Sequence, residues 1–443
     1  MTTQETSPVL DILKAHRRGE PVGLYSVCSS HELVLSAALR VALELGTPLL
    51  VEATSNQVDQ NGGYTGMTPA DFRRYVEGLA AELGLPPARL VLGGDHLGPN
   101  SWQKLPAVEA MANARVLIHD YVAAGFSKIH LDCSMSCADD PARLDDETVA
   151  QRSAELAEVA EAAAAEAGLP APVYVIGTEV PVPGGEASLE QALAVTSPKA
   201  AARTLEVHRQ AFAAAGLRSA WQRVIAMVVQ PGVDFDHSHV QHYDSAAAAE
   251  LSAFVAGQPG LVFEAHSTDY QLESSLAALV RDHYAILKVG PALTFALREA
   301  LFALSSIEAE LLPAGQQARL PEALEQAMLA EPRHWHKHYA GTPEQQRLLR
   351  RFALSDRCRY YWGEPAVRAA QQRLFANFDA ADTPLPLLSQ YLPTQFAAVM
   401  QGRLPATARR LVEDKVAEVL ATYARACQGT GIESPDAAVV SNH

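Results

Sequence analysis

Short apolar runs alternate with longer segments rich in Ala, Leu and Glu through the first 312 residues, which is typical of repeated βα units around a parallel sheet. We interpret eight of the apolar runs as strands, at residues 22–27, 48–53, 89–92, 128–131, 173–176, 223–229, 261–263 and 285–289. A helical pattern follows each strand, at residues 31–45, 69–83, 107–124, 146–167, 197–215, 246–256, 272–282 and 292–312. Eight such units match the size of a (β/α)8 barrel, whereas a doubly wound sheet usually stops at about six strands. The pattern therefore predicts an α/β fold, a TIM barrel, over residues 1–312.

The strand pattern stops beyond residue 312, and residues 313–443 are predicted to form a helical extension packed on the barrel. This extension contains a basic aromatic cluster, which combines Trp335 and three neighbouring histidines with residues 356–362. Two interpretations stay open for the cluster: it packs the extension against the barrel, or its arginines, Arg357 among them, bind a substrate phosphate. Packing is the interpretation that we favour.

Composition narrows the class of function. The 443 residues hold 35 Lys and Arg against 51 Asp and Glu, a net charge of −16, which gives no general attraction to nucleic acids or anionic membranes. No apolar run reaches the length of a membrane span, and residues 1–10 lack the basic and apolar regions of a signal peptide. Five cysteines are sparse and odd in number, as expected for reduced thiols in the cytoplasm. We therefore expect a cytoplasmic protein without nucleic-acid or membrane partners.

No phosphate loop or G-x-G-x-x-G motif follows a strand, so nucleotide binding has no support.

Polar residues follow all eight predicted strands, at the end of a barrel where active sites lie. Three of them, His96, Glu179 and His266, come after strands 3, 5 and 7. Two imidazoles and one carboxylate suit a catalytic divalent ion, with zinc first and manganese or another ion as alternatives. The competing interpretation makes each of them a hydrogen-bonded structural residue.

The sharpest local motif is residues 93–96 (GGDH), which we expect to form a tight turn. It brings a carboxylate and an imidazole together, so that one can hold a metal while the other moves a proton. Asp95, Glu52 and Asp132 are the carboxylates of the mouth that could carry the proton.

Further polar residues at the strand ends are candidates for binding a substrate and its phosphate. They are Ser29, Asn56, Gln230, Ser267, Lys288 and Gly290, together with Arg357 of the extension. Lys288 alone would more often be an ion-pair partner. The motif of His237, His239 and His242 could also bind a metal, although a solvated loop is the favoured interpretation.

Five segments are long enough to be specific to a protein family: residues 25–31 (YSVCSSH), 51–57 (VEATSNQ), 62–69 (GGYTGMTP), 93–100 (GGDHLGPN) and 355–362 (SDRCRYYW). Together they resemble the D-tagatose-1,6-bisphosphate aldolase Z-type subunit family, over about residues 8–428. The resemblance implies a relation to class II aldolases, which are zinc-dependent (β/α)8 barrels.

The resemblance also implies roles for individual residues. Asp95 and His96 match an aldolase pair in which the aspartate works on the substrate hydroxyl and the histidine on the metal. His266 is similar to the late metal histidine of those enzymes, and Glu179 to the carboxylate after strand 5. At strand 6 the aldolases have a metal histidine where this chain has Gln230, so the chain departs from their pattern there.

Two functions compete on these grounds. In the first, the chain is an accessory subunit that stabilises a separate catalytic class II aldolase subunit in tagatose or galactitol catabolism. In the second, it is itself a metal enzyme, a 4-epimerase that interconverts fructose 6-phosphate and tagatose 6-phosphate, as some relatives suggest. The polar mouth favours chemistry, whereas Gln230 favours lost or altered chemistry. A third possible class of function is a sensor that binds a sugar phosphate without turning it over. Whatever its function, we expect the protein to form a homo-oligomer.

Overall fold

The computed structural model of the protein describes residues 7–178 and 193–429. The strands are β1 Leu24–Val27, β2 Leu49–Thr54, β3 Leu90–Leu97, β4 Lys128–Leu131, β5 Val173–Ile176, β6 Val224–Val228, β7 Asp234–Phe235, β8 Val240–Gln241, β9 Val262–Ala265 and β10 Ile286–Val289. Eight of them are parallel and close into a barrel in the order β1-β2-β3-β4-β5-β6-β9-β10, with β10 paired back to β1. Strands β7 and β8 form a separate antiparallel hairpin after β6. The predicted TIM barrel is therefore confirmed.

The helices pack around this barrel and continue beyond it. They are α1 Pro8–Arg17, α2 Glu32–Leu45, α3 Pro69–Leu83, α4 Ala107–Ala123, α5 Asp146–Ala167, α6 Pro198–Ala214, α7 Arg218–Trp221, α8 Ala249–Ala256, α9 Glu273–Arg281, α10 Pro291–Leu311, α11 Leu320–Ala330, α12 Pro343–Phe352, α13 Pro365–Ala380, α14 Leu385–Tyr391, α15 Pro393–Met400 and α16 Ala408–Gln428. Short 3-10 helices lie at Pro87–Arg89, Pro99–Trp102, Pro332–His334 and Arg357–Tyr361. Local sequence sets several boundaries. At the start of α3, Thr68 and Asp71 form a reciprocal capping box, and Gly84 ends the helix in the left-handed conformation.

The GGDH motif is part of a strand instead of the expected tight turn. It continues β3 to Leu97, and the register with β4 shifts between Gly94 and Leu97. His96 sits in this irregularity with a φ of +50°. A bulge re-aims a side chain, so Asp95 and His96 line one cavity, whereas regular alternation would send them to opposite faces. The chain requires a glycine at position 98, because a Cβ there would lie only 1.8 Å from the carbonyl oxygen of Asp132.

Helix α1 closes the amino-terminal end of the barrel. Its Val9 and Leu13 belong to one apolar cluster with the first inward residues of the strands, among them Leu24, Leu50 and Val91. The lower part of the barrel interior is therefore an ordinary apolar core, and polar chemistry is confined to the layers above it.

The helices after Leu311 return to the barrel through α16. Glu413 accepts a hydrogen bond from Nε of Arg40 on α2, at 3.0 Å. The Tyr423 hydroxyl donates to the carbonyl oxygen of Thr268, at 2.6 Å. The division of the chain at residue 312 stays a prediction.

Within the described part of the chain, no helix combines the length and the apolar character that crossing a membrane requires.

Candidate active site at the barrel mouth

A layer of charged side chains fills the middle of the barrel, where a TIM barrel usually carries branched apolar residues. Glu52 on β2, Lys128 on β4 and Glu264 on β9 are fully buried. Nζ of Lys128 lies 2.6 Å from Oε1 of Glu52 and 2.6 Å from Oε2 of Glu264. Lys288 on β10 also pairs with Glu52, and its Nζ lies 3.0 Å from Oδ1 of Asp95. Each of these charged side chains is paired with a side chain of opposite charge. Without such a partner, an ion at this depth would cost several kcal/mol of stability.

Gly93 makes room for this charged layer. It pairs in register with Glu52 on the neighbouring strand, and a Cβ at position 93 would lie 2.5 Å from Oε1 of Glu52. Burial would lower the pKa of Lys128, but Glu264 and Glu52 raise it above its usual value. Burial would raise the pKa of Glu264, but Lys128 and Lys288 hold it well below its usual range. Lys128 and Glu264 are therefore ionised as well as buried.

Three imidazoles meet directly above the charged layer. His96 on β3, His130 on β4 and His266 just after β9 are all buried, and their ring centroids lie 4.8, 5.1 and 5.2 Å apart. Nδ1 of His96 lies 2.7 Å from Oδ2 of Asp132, and Nε2 of His266 lies 2.9 Å from Oε1 of Glu264. The other nitrogens of these two rings, His96 Nε2 and His266 Nδ1, are 3.2 Å apart.

The two carboxylates decide which nitrogens carry protons. Because each carboxylate accepts a hydrogen bond, neutral rings carry their protons on Nδ1 of His96 and Nε2 of His266. The remaining nitrogens then face each other as two lone pairs, which repel unless a positive species lies between them. Burial would lower the pKa of His96, but Asp95 and Asp132 raise it. Burial lowers the pKa of His266 to about 4. A proton on His96 or a metal ion satisfies this pair.

The imidazole pair fits a zinc ion. Zinc binds imidazole nitrogen at about 2.0–2.1 Å, so nitrogens 3.2 Å apart subtend an angle of roughly 100° at the ion, between octahedral and tetrahedral geometry. His96 and His266 also line the cavity at the mouth, so a substrate can approach an ion that they hold.

A second, deeper group of residues could also hold a metal ion. It comprises Asp95, His130, Glu264 and His266, all buried, with ligand atoms within 4.8 Å of one another. Lys128 and Lys288 already neutralise the two carboxylates of this group. We therefore favour the pair of His96 and His266, because both line the cavity whereas His130 and Glu264 do not.

The cavity above the imidazoles is built by both parts of the chain. Its barrel side includes Cys28, Thr54, Asn56, Gln57, Tyr64, Asp95, His96, Phe235, His266, Ser267, Asp269, Lys288, Val289, Gly290 and Pro291. Arg359 and Tyr360, from the extension, complete the wall. Two of the lining residues are strained: His96 and Ser267 have φ values of +50° and +53°, in the left-handed region that costs a residue with a side chain about 1–3 kcal/mol. Strain of this kind is concentrated at functional sites.

Most of the residues predicted for the site surround this cavity. Asp95, His96, His266, Asn56, Ser267, Lys288 and Gly290 all line it. Ser29 lines a smaller adjoining cavity, where its Oγ accepts a hydrogen bond from the backbone of His31. Their individual roles stay predictions.

The other predicted residues lie elsewhere. Both oxygens of Glu52 are occupied by its lysine partners and by Ser26, and Oδ1 of Asp132 accepts from Ser134. The Oε1 of Gln230 accepts from two backbone amides of its own turn, at 2.8 and 3.1 Å. Arg357 donates through Nη1 to the carbonyl oxygen of residue 334, at 2.9 Å. Glu179 lies outside the described residues, so its predicted role as a metal ligand stays a prediction.

Asp269 occupies the amino terminus of α10, where a phosphate site was expected. Its Oδ1 accepts hydrogen bonds from the amides of Gly290 and Ala292, at 3.0 and 2.8 Å. Burial raises the pKa of Asp269 to about 6. The Gly290 amide therefore already has an acceptor within the protein.

The His237 motif and the basic aromatic cluster meet each other. Nδ1 of His237 lies 2.9 Å from Oγ of Ser355, and its Nε2 lies 2.9 Å from the carbonyl oxygen of His338. Both ring nitrogens are engaged, so His237 packs the extension onto the β7–β8 hairpin. Trp335 is buried and donates to the carbonyl oxygen of Met328. Most of the cluster packs, as favoured, while Arg359 and Tyr360 reach the cavity.

Sequence reasoning missed Lys128 and His130, noted Glu264 only as a polar residue at a strand end, and included Arg359 only as one of the arginines of the basic aromatic cluster. A signal for the first three was present, because polar residues occupy every second position of two strands: Lys128, His130 and Asp132 on one, Glu264 and His266 on the other. Attention to strand ends alone overlooked these interior positions.

Comparison with known proteins places the chain in a family. The family model for D-tagatose-1,6-bisphosphate aldolase subunit GatZ/KbaZ-like proteins matches residues 9–428. The chain belongs to this family. The resemblance expected from the sequence motifs is thus confirmed.

One solved structure is close to this GatZ/KbaZ-like protein. It is a probable tagatose 6 phosphate kinase from Sinorhizobium meliloti 1021, with 49% identity and a TM-score of 0.85, and the match covers 91% of this chain and 100% of that one. Two aldolases match more distantly, each with 12% identity over 84% of this chain. They are the YdjI aldolase from Escherichia coli K12, covered to 98% with a TM-score of 0.41, and the fructose-bisphosphate aldolase from Campylobacter jejuni, covered to 94% with a TM-score of 0.44. At those TM-scores the likeness carries no argument about the chemistry of this GatZ/KbaZ-like protein.

Proposed function

We propose that this GatZ/KbaZ-like protein binds one divalent ion, zinc first, and a phosphorylated ketohexose at its barrel mouth, and that it acts as an accessory subunit of a class II aldolase in tagatose or galactitol catabolism. The observation that carries the metal site is the pair of nitrogens, His96 Nε2 and His266 Nδ1, which face each other across 3.2 Å. Membership of an aldolase subunit family supports the accessory role.

The residues around the pair suit proton transfer on a sugar. A bound ion would polarise a carbonyl or hydroxyl oxygen of the substrate. Oδ1 of Asp95 lies 3.0 Å from both His130 Nδ1 and Lys288 Nζ. Oδ2 accepts a weak hydrogen bond from the Cys28 thiol at 3.9 Å and is the oxygen better placed to take a proton. Burial would raise the pKa of Asp95, but Lys288 and His96 hold it well below its usual range. Asp95 is therefore an ionised carboxylate that lines the cavity, as a general base requires.

Two further carboxylates act through the imidazoles. Asp132 orients His96 and Glu264 orients His266, so that the open nitrogen of each ring faces the other. We assign them as positioning residues, and Asp95 as the proton carrier.

A stand-alone 4-epimerase that interconverts fructose 6-phosphate and tagatose 6-phosphate is the second candidate. One observation favours it: Asp95 and the imidazole pair come from the same chain and line the same cavity. A second subunit is therefore not required to bring a base beside a metal-bound sugar.

The metal site is tested first, by measuring zinc in the purified protein with mass spectrometry after dialysis. We expect about one zinc per chain in the wild type and in His119→Ala, an exposed histidine on α4 that serves as the control. His96→Ala should lose the zinc, because only one imidazole of the pair remains. Wild-type protein that folds but holds no divalent ion would overturn the proposed site.

The role is tested by carbon-13 NMR time courses with fructose 6-phosphate and with tagatose 1,6-bisphosphate. Tagatose 6-phosphate formed by the chain alone makes it an epimerase, and triose phosphates make it an aldolase. If the chain alone forms no product but increases the activity of an added class II aldolase subunit, the accessory role is supported. If the chain forms no product and has no effect on the added subunit, both roles are refuted.

A further inference from the structure

A short segment of the extension is fixed against the barrel mouth. Oδ2 of Asp356 accepts from the Thr294 hydroxyl at 2.6 Å, and its Oδ1 lies 3.5 Å from Nε of Arg298, both on α10. Ser355 is held by His237 at 2.9 Å. Asp356 itself has a φ of +44°, in the left-handed region. These anchors are polar and buried, so the residues that follow them have a defined position.

Arg359 is the residue that this segment presents to the cavity. Its Nη1 donates to the carbonyl oxygens of Ser355 and Asp356, at 2.5 and 3.1 Å, and its Nη2 donates to the Tyr360 hydroxyl at 3.0 Å. The guanidinium carbon lies 4.6 Å from the centre of the Tyr360 ring. The side chain is thus held in place before any ligand binds.

The guanidinium still has donors to offer. An arginine carries five N–H donors, and the contacts above use three of them. Among the described residues, Nε–H and the second Nη2–H have no acceptor, and no carboxylate oxygen lies within 4.0 Å of the guanidinium. A partly buried arginine without a carboxylate beside a cavity is a binding site for an anion.

Lys288 and two backbone amides of the mouth are already engaged. Lys288 is paired with Glu52 and Asp95, and the amides of Gly290 and Ala292 donate to Asp269. Arg359 interacts electrostatically with Asp356 and Asp269, but neither carboxylate lies within 4.0 Å of its guanidinium, so its free donors face the cavity without a direct ion pair.

We propose that Arg359 binds the phosphate of the ketohexose phosphate, through Nε–H and Nη2–H. The inference rests on the proposed function, since it names the group that recognises the phosphate of that same substrate. The barrel strands at the mouth would then hold the reacting carbons, and the extension would supply phosphate recognition. Arg357, the arginine predicted from the sequence, supports this segment by its hydrogen bond to the carbonyl of residue 334.

The test compares Arg359→Gln with Arg368→Gln, an exposed arginine of the same extension that lines the outer groove. Zinc-loaded proteins are titrated with fructose 6-phosphate, fructose and inorganic phosphate by isothermal calorimetry. Two charge-assisted hydrogen bonds are at stake, so Arg359→Gln should weaken fructose 6-phosphate binding by roughly 10- to 100-fold and abolish phosphate binding. Its affinity for fructose and its zinc content should stay at wild-type values, and Arg368→Gln should behave as the wild type.

A second measurement needs no variant. Phenylglyoxal labels accessible arginines, and peptide mass spectrometry reads each site separately. Inorganic phosphate should protect Arg359 in the wild type while Arg368 stays labelled.

Equal binding by Arg359→Gln and wild type, or labelling of Arg359 that phosphate leaves unchanged, would overturn the assignment. A wild type that binds no phosphate and no fructose 6-phosphate overturns it as well. Failure of the proposed function shows differently, as a folded wild type that holds no zinc and has no activity either alone or with an added aldolase subunit. The phenylglyoxal labelling of Arg359 requires neither zinc nor turnover.

Discussion

Replacing Asp132 by asparagine tests how the imidazole pair is set up for a metal. In the wild type, Oδ1 of Asp132 accepts from the amide and the hydroxyl of Ser134, at 3.1 and 2.7 Å, while Oδ2 lies 2.7 Å from Nδ1 of His96. Because the Ser134 amide can only donate, the carbonyl oxygen of an asparagine must take the Oδ1 position. Its NH₂ group then faces Nδ1 of His96.

That NH₂ group donates, so Nδ1 of His96 must accept and the ring proton moves to Nε2. The nitrogen that faces His266 across 3.2 Å is then blocked by a proton in the neutral ring. Loss of such an orienting partner typically costs 10- to 100-fold in metal affinity, or about 1.4–2.7 kcal/mol. We expect Asp132→Asn to weaken zinc binding by this amount with little change in shape, since the two side chains are isosteric.

Zinc affinity is measured by competition with a chromophoric chelator at fixed pH. Asp140→Asn is the matched control: Asp140 lies in the same loop after β4, but it binds Arg152 and the amide of Cys137, not the imidazoles. Asp140→Asn should bind zinc as the wild type does. Wild-type zinc affinity in a folded Asp132→Asn protein would refute the tautomer reasoning, and wild-type affinity in His96→Ala would remove His96 from the site.

Three further predictions concern the same region. For the 4-epimerase role, Asp95→Asn should lower formation of tagatose 6-phosphate by about 10²- to 10⁴-fold in the NMR assay while zinc is retained, because the base is lost. Lys128→Met should lower the free energy of unfolding in urea by about 3–5 kcal/mol, because Glu52 and Glu264 lose their shared cation. Asp269 has a folded-state pKa raised to about 6 from 3.8, so its contribution to stability is complete below about pH 4 and is lost as the pH rises through 6. The stability of the wild type relative to Asp269→Asn should therefore fall by about 2 kcal/mol between pH 4 and pH 7.

Each of these predictions has an outcome that contradicts it. Unchanged turnover in Asp95→Asn would assign the proton to another group. Lys104→Met, an exposed lysine, should be neutral, and an equal effect of the two lysine changes would show that burial of the ion pair is unimportant. A pH-independent difference between Asp269→Asn and the wild type would mean that Asp269 is ionised as easily in the folded chain as in the unfolded one.

The barrel was predictable because its strands are short apolar runs bounded by clear helices. The hairpin of β7 and β8 was missed, since two-residue strands leave no periodic pattern. Helix α1 was missed as well, because its apolar residues serve to plug the barrel, which is a tertiary role. The turn expected at residues 93–96 failed for a related reason: the bulge in β3 depends on pairing with β4, which the local sequence does not encode.

The site was predictable in part. Residues that follow strands, such as Asp95, His96 and His266, were found because a barrel gathers strand ends at one mouth. The orientation of Gln230 and Arg357 depends on turns and on packing of the extension. Sequence spacing alone could therefore not predict that these two residues do not line the cavity. Arg357 and Arg359 are only two residues apart in the sequence. The conformation of the folded segment decides that Arg357 packs within the protein while Arg359 lines the cavity.

The closure of the barrel floor has a practical consequence for anchoring the molecule. Pro8 of α1 and Gln428 of α16 border one pocket there, and the amide of Gly23 donates to the carbonyl oxygen of Cys427 at 2.8 Å. The described chain therefore starts and finishes on the side opposite the cavity. A surface tether or a fused carrier attached at residue 8 or residue 428 leaves the mouth facing outward. Because Pro8 and Gln428 border the same pocket, a linker that joins these two residues would also yield a circular permutant that can be reopened in an exposed loop far from the mouth.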